Sequence, residues 1–111
     1  MSASRDRGTK WETAVVAYLQ ASGWPHAERR ALRGKHDRGD LSGVVGLVVE
    51  AKSAARVELA AWLDEAKREA AIADDKGVVW FHRRGKASPA DGFVLMDGAT
   101  FVRFLIESGY Q

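Results

Sequence analysis

The chain has no cysteine, which excludes disulfides, a thiolate metal site and a thiol nucleophile. A cytoplasmic setting fits that composition. Long apolar runs are missing too: no stretch approaches the roughly 20 residues of a membrane-spanning helix, so no membrane association is expected. The opening Met1-Ser2-Ala3-Ser4-Arg5-Asp6-Arg7 is polar and lacks the apolar core of a secretion signal. Histidines are few and scattered, at His26, His36 and His82, without metal-ligand spacing. No phosphate-binding Walker loop is present, since Arg33-Gly34-Lys35 lacks the required glycines and a following helix. Ser42 and Ser53 have no histidine base near them in the pattern. With no repeat, linker or low-complexity tract, the 111 residues read as one domain over 9–111 behind a polar arm, 1–8.

What is present is a soluble-type composition, 46% hydrophobic and 29% charged, with an uneven charge distribution. Residues 58–75 hold six acids against Lys67 and Arg68, a net of −4, which leaves +6 on the rest of a chain whose total is +2. The basic residues gather as Arg5, Arg7 and Lys10, then Arg29, Arg30, Arg33, Lys35 and Arg38, then Arg83, Arg84 and Lys86. A basic surface opposite an acidic helix suits nucleic acid; a mixed, solvated surface is the plainer explanation.

Periodicity lays out the elements. Thr9-Lys10-Trp11-Glu12 reads as a capping box opening a helix whose apolar stripe is Trp11, Val15, Tyr18 and Leu19, and which Gly23 and Pro25 stop. His26–Leu32 alternates weakly as a short strand, and 34–39 is a charged loop. A hairpin over Asp40–Lys52 follows, turning at Gly43 or Gly46. Leu59, Trp62, Leu63, Ala66 and Ala70 mark a helix over about 57–73. Val78–Phe81 reads as a central strand and Phe93–Met96 as another. Asp97 or Gly98 opens a last helix with Phe101, Phe104 and Leu105 inward. The aromatics Trp62, Trp80, Phe81, Phe101 and Phe104 sit at core spacing. The order α-β-β-β-α-β-β-α predicts an α/β fold, a mixed sheet flanked by helices.

Acid-x-Lys occurs three times: Glu50-Ala51-Lys52, Glu65-Ala66-Lys67 and Asp74-Asp75-Lys76. Only the first closes an apolar, β-branched run, Val44–Val49, and on a strand residues i and i+2 share a face. On a helix two steps of about 100° send Glu65 and Lys67 to nearly opposite sides, so only the first match is expected to form a site. A carboxylate and an ammonium at the end of a buried strand must be paired or bound to something. A simple ion pair would satisfy them. Asp40, ahead of the hairpin, adds a second carboxylate, and two converging carboxylates suit Mg²⁺, which keeps positions for water and phosphate oxygens. Lys52 could then steady a phosphate or the attacking water. Glu12 falls at the edge of the buried helix stripe, where capping alone would also explain it.

Asp40, Glu50 and Lys52 match position for position the motif of the PD-(D/E)xK nuclease superfamily, which includes type II restriction enzymes and archaeal Holliday junction resolvases. Gly39 stands where a proline often precedes the first acid. The whole chain resembles short resolvase-like proteins of actinobacterial phages. The resemblance implies a restriction-endonuclease-like core and a Mg²⁺-dependent DNA endonuclease, with Mn²⁺ as a substitute, acting on branched DNA in recombination, as a homodimer in the host cytoplasm. It assigns Asp40, Glu50 and the Ala51 carbonyl to the metal, Lys52 to the attacking water, and Glu12 to a water-mediated or second metal contact. Phosphate contacts are expected from Arg5, Arg7, Arg29, Arg30, Lys35, Arg38, Arg83, Arg84 and Lys86. A nuclease for flaps, single strands or RNA, and a non-catalytic nucleic-acid-binding module, are the alternatives.

Overall fold

The computed structural model describes residues 3–30 and 40–110. Three helices and two small sheets follow the order read from the sequence: α1 (Ala3–Ala21), β1 (Glu28–Arg29), β2 (Leu41–Ser42), β3 (Leu47–Lys52), α2 (Leu59–Ala71), β4 (Lys76–Phe81), β5 (Phe93–Leu95) and α3 (Gly98–Glu107), with a 3₁₀ turn at Pro89–Asp91. β3 and β4 run parallel, with Glu50 opposite Val79 and Lys52 opposite Phe81. β5 pairs antiparallel on the far side of β4, which makes β4 central, as expected, and the three-stranded sheet mixed.

The expected hairpin is corrected. β2 pairs with β1 in a separate two-stranded sheet rather than forming a ladder with β3. The join is made at Asp40, whose N–H donates to the Val49 carbonyl at 3.0 Å. With two residues per strand, β1 and β2 leave too little backbone for a continuous ladder, and the Asp40 side chain takes over. The loop read at 34–39 and the end of the strand read at 26–32 lie outside the described residues.

α1 also differs at its start. It begins at Ala3, not Thr9. Thr9 is an interior residue whose carbonyl accepts the Thr13 hydroxyl at 2.9 Å, so the capping box does not operate and residues 3–8 are helical. Asp6 in the first turn favours this extension through the helix dipole. The stop is as expected. Gly23 takes a left-handed φ of 117°, and the Trp24 N–H reaches back to the Leu19 carbonyl at 3.0 Å, the six-to-one closure that glycine makes accessible.

Side-chain alternation along β3 divides the core. Val49 and Ala51 face α1 and pack with Trp11, Val15, Leu19, Leu41 and Val78. Glu50 and Lys52 face the other way, toward α2. α2 seats its buried Ala66 and Ala70 against β4 at Gly77, where a Cβ would stand 2.6 Å from the Ala66 carbonyl oxygen. That closeness draws the acidic flank of α2 over the end of β3. Trp62 and Phe81 pack with ring centroids 5.9 Å apart, but Leu59 is exposed.

α3 is capped by Asp97, whose Oδ1 accepts the Thr100 N–H at 2.8 Å, and Lys67 ties α2 to the same residue at 2.7 Å. The inward face is Thr100 and half-buried Phe104, not Phe101, which is exposed with Val102 and Ile106. Turning Thr100 inward swings the next position about 100° away. No helix among the described residues is long and apolar enough to cross a membrane.

Candidate functional site

The end of β3 brings Asp40, Glu50, Ala51 and Lys52 together. Asp40 Oδ2 accepts the Ala51 N–H at 2.8 Å, which locks the first carboxylate against the peptide between the second carboxyl and the lysine. The backbone fixes where the Ala51 carbonyl points. Val49 O accepts from Asp40 and Lys52 O from His82, so alternate residues of β3 face opposite neighbours, and Ala51 turns toward Asp40.

Glu50 is 3% exposed. Burial first, then contact with the Glu69 carboxyl and the charges of Asp40 and Glu65, push its carboxyl up to about 11. Lys52 does not offset this. Its Nζ lies 3.8 Å from Glu50 Oε2, beyond hydrogen-bond reach, and 2.8 Å from Glu65 Oε1. Burial works against the charge of Lys52, but the Glu65 hydrogen bond and charge, helped by Asp40, outweigh it and hold the ammonium above its usual range. Asp40 is raised as well: burial and the charge of Glu12 outweigh the Ala51 hydrogen bond. At neutral pH, Glu50 is therefore a neutral acid and Lys52 a cation.

Glu12 reaches Asp40 through its field, from α1, while its Oε1 accepts the Arg29 Nε–H at 3.0 Å. Arg29 is thereby committed to an ion pair. Arg30 donates its backbone N–H to the Asp40 carbonyl at 2.8 Å, and its buried Nε has no partner among the described residues. Arg7 and Arg84 border a groove past the strand ends. Arg83 turns away from it, over the Phe93 ring at 5.6 Å. Arg5 and Lys86 are exposed. Lys35 and Arg38 lie outside the described residues.

Two corrections concern residues set aside from the sequence. Glu65 belongs to the site although its own acid-x-Lys match does not: Lys67 leaves for Asp97 while Glu65 clasps Lys52. Glu69, one helical turn on, lies against Glu50 and has a buried Oε2 without a partner among the described residues. The signal was the i, i+4 pair of acids beside the buried alanines Ala66 and Ala70. Ser53, judged to lack a histidine, has its Oγ 3.2 Å from His82 Nδ1.

The oxygen-only character of Asp40, Glu50 and the Ala51 carbonyl suits a hard divalent cation such as Mg²⁺ or Mn²⁺. A buried carboxyl crowded by three others is a group that such a cation would ionise. Among the described residues, no three acidic or histidine side chains stand in ready ligand geometry, so the fit rests on two carboxyls and a carbonyl.

Compared with known protein families, curated proteins and solved structures, the chain matches none.

Proposed function

We propose that this protein is a metal-dependent endonuclease that hydrolyses phosphodiester bonds at the end of β3. The observation that carries the reading is the convergence of the Asp40 carboxylate, the buried Glu50 carboxyl and the Lys52 ammonium around one peptide unit. Asp40, Glu50 and the Ala51 carbonyl would hold the cation, with Glu12 behind Asp40. A divalent cation there supplies Lewis-acid activation of water and phosphate oxygen.

The protein's own groups have separate tasks. Asp40, fixed by the Ala51 N–H, keeps one carboxylate oriented. A divalent cation held by Glu50 would ionise its carboxyl, so loading the site would release a proton. Lys52, held as a cation by Glu65, hydrogen-bonds the attacking water or a non-bridging phosphate oxygen and offsets charge that builds there. It does not serve as the base, because its raised pKa keeps it protonated.

Within this reading, the motif match favours a restriction-endonuclease-like core and branched DNA as substrate, the four-way junction first among them. Resolving a junction needs paired cuts in two strands, which a two-fold dimer would supply. The exposed apolar residues Phe101, Val102 and Ile106 of α3 offer that dimer a surface. One observation favours the alternative of a non-catalytic nucleic-acid-binding module: the 2.8 Å Lys52–Glu65 contact engages the lysine that hydrolysis would need. Incubating four-way junction, flap, duplex, single-stranded DNA and RNA with Mg²⁺ or EDTA decides between them. Mg²⁺-dependent cuts are expected, paired on the junction; binding without cleavage of any substrate would favour the module.

A further inference from the structure

β3 and β4 are parallel, and the crevice beyond the carboxyl ends of parallel strands is where open α/β sheets bind ligands. Here Ser53 follows β3 and His82 follows β4, with the His82 N–H donating to the Lys52 carbonyl at 2.9 Å. Two hollows meet at these residues. One, of about 360 Å³, is walled by Trp11, Ala14, His82 and Ala87, with Arg7 and Lys10 at its edge. The other, of about 300 Å³, has Arg7, Ser53, Arg84 and Gly85 around it. Each is at the lower end of the size range of small-molecule clefts, about 300–1,000 Å³.

Their chemistry differs. The first is faced by the methyl of Ala14 from α1, the methyl of Ala87 from the loop after β4 and the ring of His82. That ring lies against Trp11 with centroids 4.7 Å apart and planes 28° from parallel. Both ring nitrogens are held: Nε2 donates to the Lys86 carbonyl at 2.7 Å, and Nδ1 meets Ser53 Oγ at 3.2 Å. The His82 ring is therefore a fixed wall. The second hollow is polar and cationic. Arg7 and Arg84 form no ion pair among the described residues, so an anion seated between them would meet two cations with no carboxylate partner there.

We propose that this double hollow receives one unpaired nucleotide of a nucleic-acid strand, its base against His82, Ala14 and Ala87 and its phosphate between Arg7 and Arg84. A flat apolar slot beside an isolated cationic one matches a nucleotide pulled out of its stack, whereas a paired duplex offers phosphates without a free base. Ser53 follows Lys52 directly, so the nucleotide would sit just past the carboxyl end of the strand that carries Glu50 and Lys52. The proposal rests on that reading only for nucleic acid as the ligand. The substrate class that follows is DNA or RNA with an unpaired residue at a branch, bulge or flap.

The test is metal-free, so it does not depend on cleavage. Fluorescence anisotropy in EDTA compares a duplex with one bulged nucleotide, the same duplex with an abasic bulge, and the fully paired duplex. The bulged nucleotide should bind about tenfold more tightly than the abasic one, as loss of a base stack predicts. Ala87→Trp, at an exposed position, should fill the hollow and abolish that preference while leaving duplex affinity unchanged; Ala14→Leu should do the same. Arg84→Ala should weaken the bulged and abasic ligands alike. Equal affinity for base and abasic bulges, a preference that survives both hollow-filling variants, or no nucleic-acid binding at all would overturn the proposal. A preserved preference in a protein that never cleaves would sink the nuclease and leave this site standing.

Discussion

Glu50→Gln should make the protein more stable at neutral pH and flatten its dependence on pH. The folded carboxyl titrates at about 11 against an ordinary value of 4.5. A carboxyl raised on folding gives stability that is complete below the unfolded pKa and is lost as pH rises through the window between the two values. Across that window the folded state holds one more proton than the unfolded state, so stability should fall by about 1.4 kcal/mol per pH unit from this group alone. Between pH 4.5 and 7 the accumulated loss is about 3 kcal/mol. Glutamine keeps the shape and the neutral state, so that loss disappears. Urea denaturation in EDTA from pH 5.5 to 8.5 reads both slopes. Adding Mn²⁺ should restore stability to the wild type above pH 7 and have little effect on the variant. A wild-type stability that is flat or rises over this range, or a variant with the same slope as the wild type, would refute the protonated Glu50.

Three further outcomes follow from the geometry. Gly77→Ala should destabilise the fold by about 1–3 kcal/mol, because its Cβ would meet the Ala66 carbonyl oxygen at 2.6 Å; thermal melts check this, and an unchanged melting temperature would mean that α2 is not seated there. Glu65→Gln should leave burial as the main influence on Lys52 and lower its pKa, which faster acylation of Lys52 at pH 8, read by mass spectrometry, would reveal; unchanged labelling would mean that Glu65 does not hold the lysine. Replacing Arg30 and Arg84 together with alanine should cut the log–log salt slope of DNA binding by about two units if each contacts one phosphate, and an unchanged slope would move the binding surface elsewhere.

The order of elements was legible because β3, α2 and β4 carry strong periodicities: a β-branched run, a helical stripe ended by polar residues, and Val78-Val79-Trp80-Phe81. Glu50 and Lys52 were legible because i, i+2 on a strand fixes a shared face, whereas Asp40 was expected beside them through a hairpin and instead joins β3 through its own N–H and carboxylate. The start of α1 was not, since residues 3–8 have no apolar period and Thr9 offered a convincing false start. The separate β1–β2 sheet rests on two residues per strand, too short for alternation to register. Phe101 looked like core by spacing, but the rotation of α3 is set by the Asp97 cap and Thr100. Glu65 and Glu69 enter the site through the close approach of α2 at Gly77, a tertiary fact that no local pattern encodes. Ser53 and His82 meet because parallel pairing aligns the ends of β3 and β4, 29 positions apart.

Cleavage of four-way-junction DNA at millimolar Mg²⁺ by the wild type and by Asp40→Asn tests the proposed nuclease site. That substitution preserves the size of the side chain and its acceptor for the Ala51 N–H, so folding and DNA binding should persist. Metal-dependent cleavage by the wild type and its loss in the variant are expected, with DNA bound at least as tightly once a charge that repels phosphate is gone. Full cleavage by Asp40→Asn, or no cleavage of any nucleic acid by the wild type with Mg²⁺ or Mn²⁺, would contradict the proposed site.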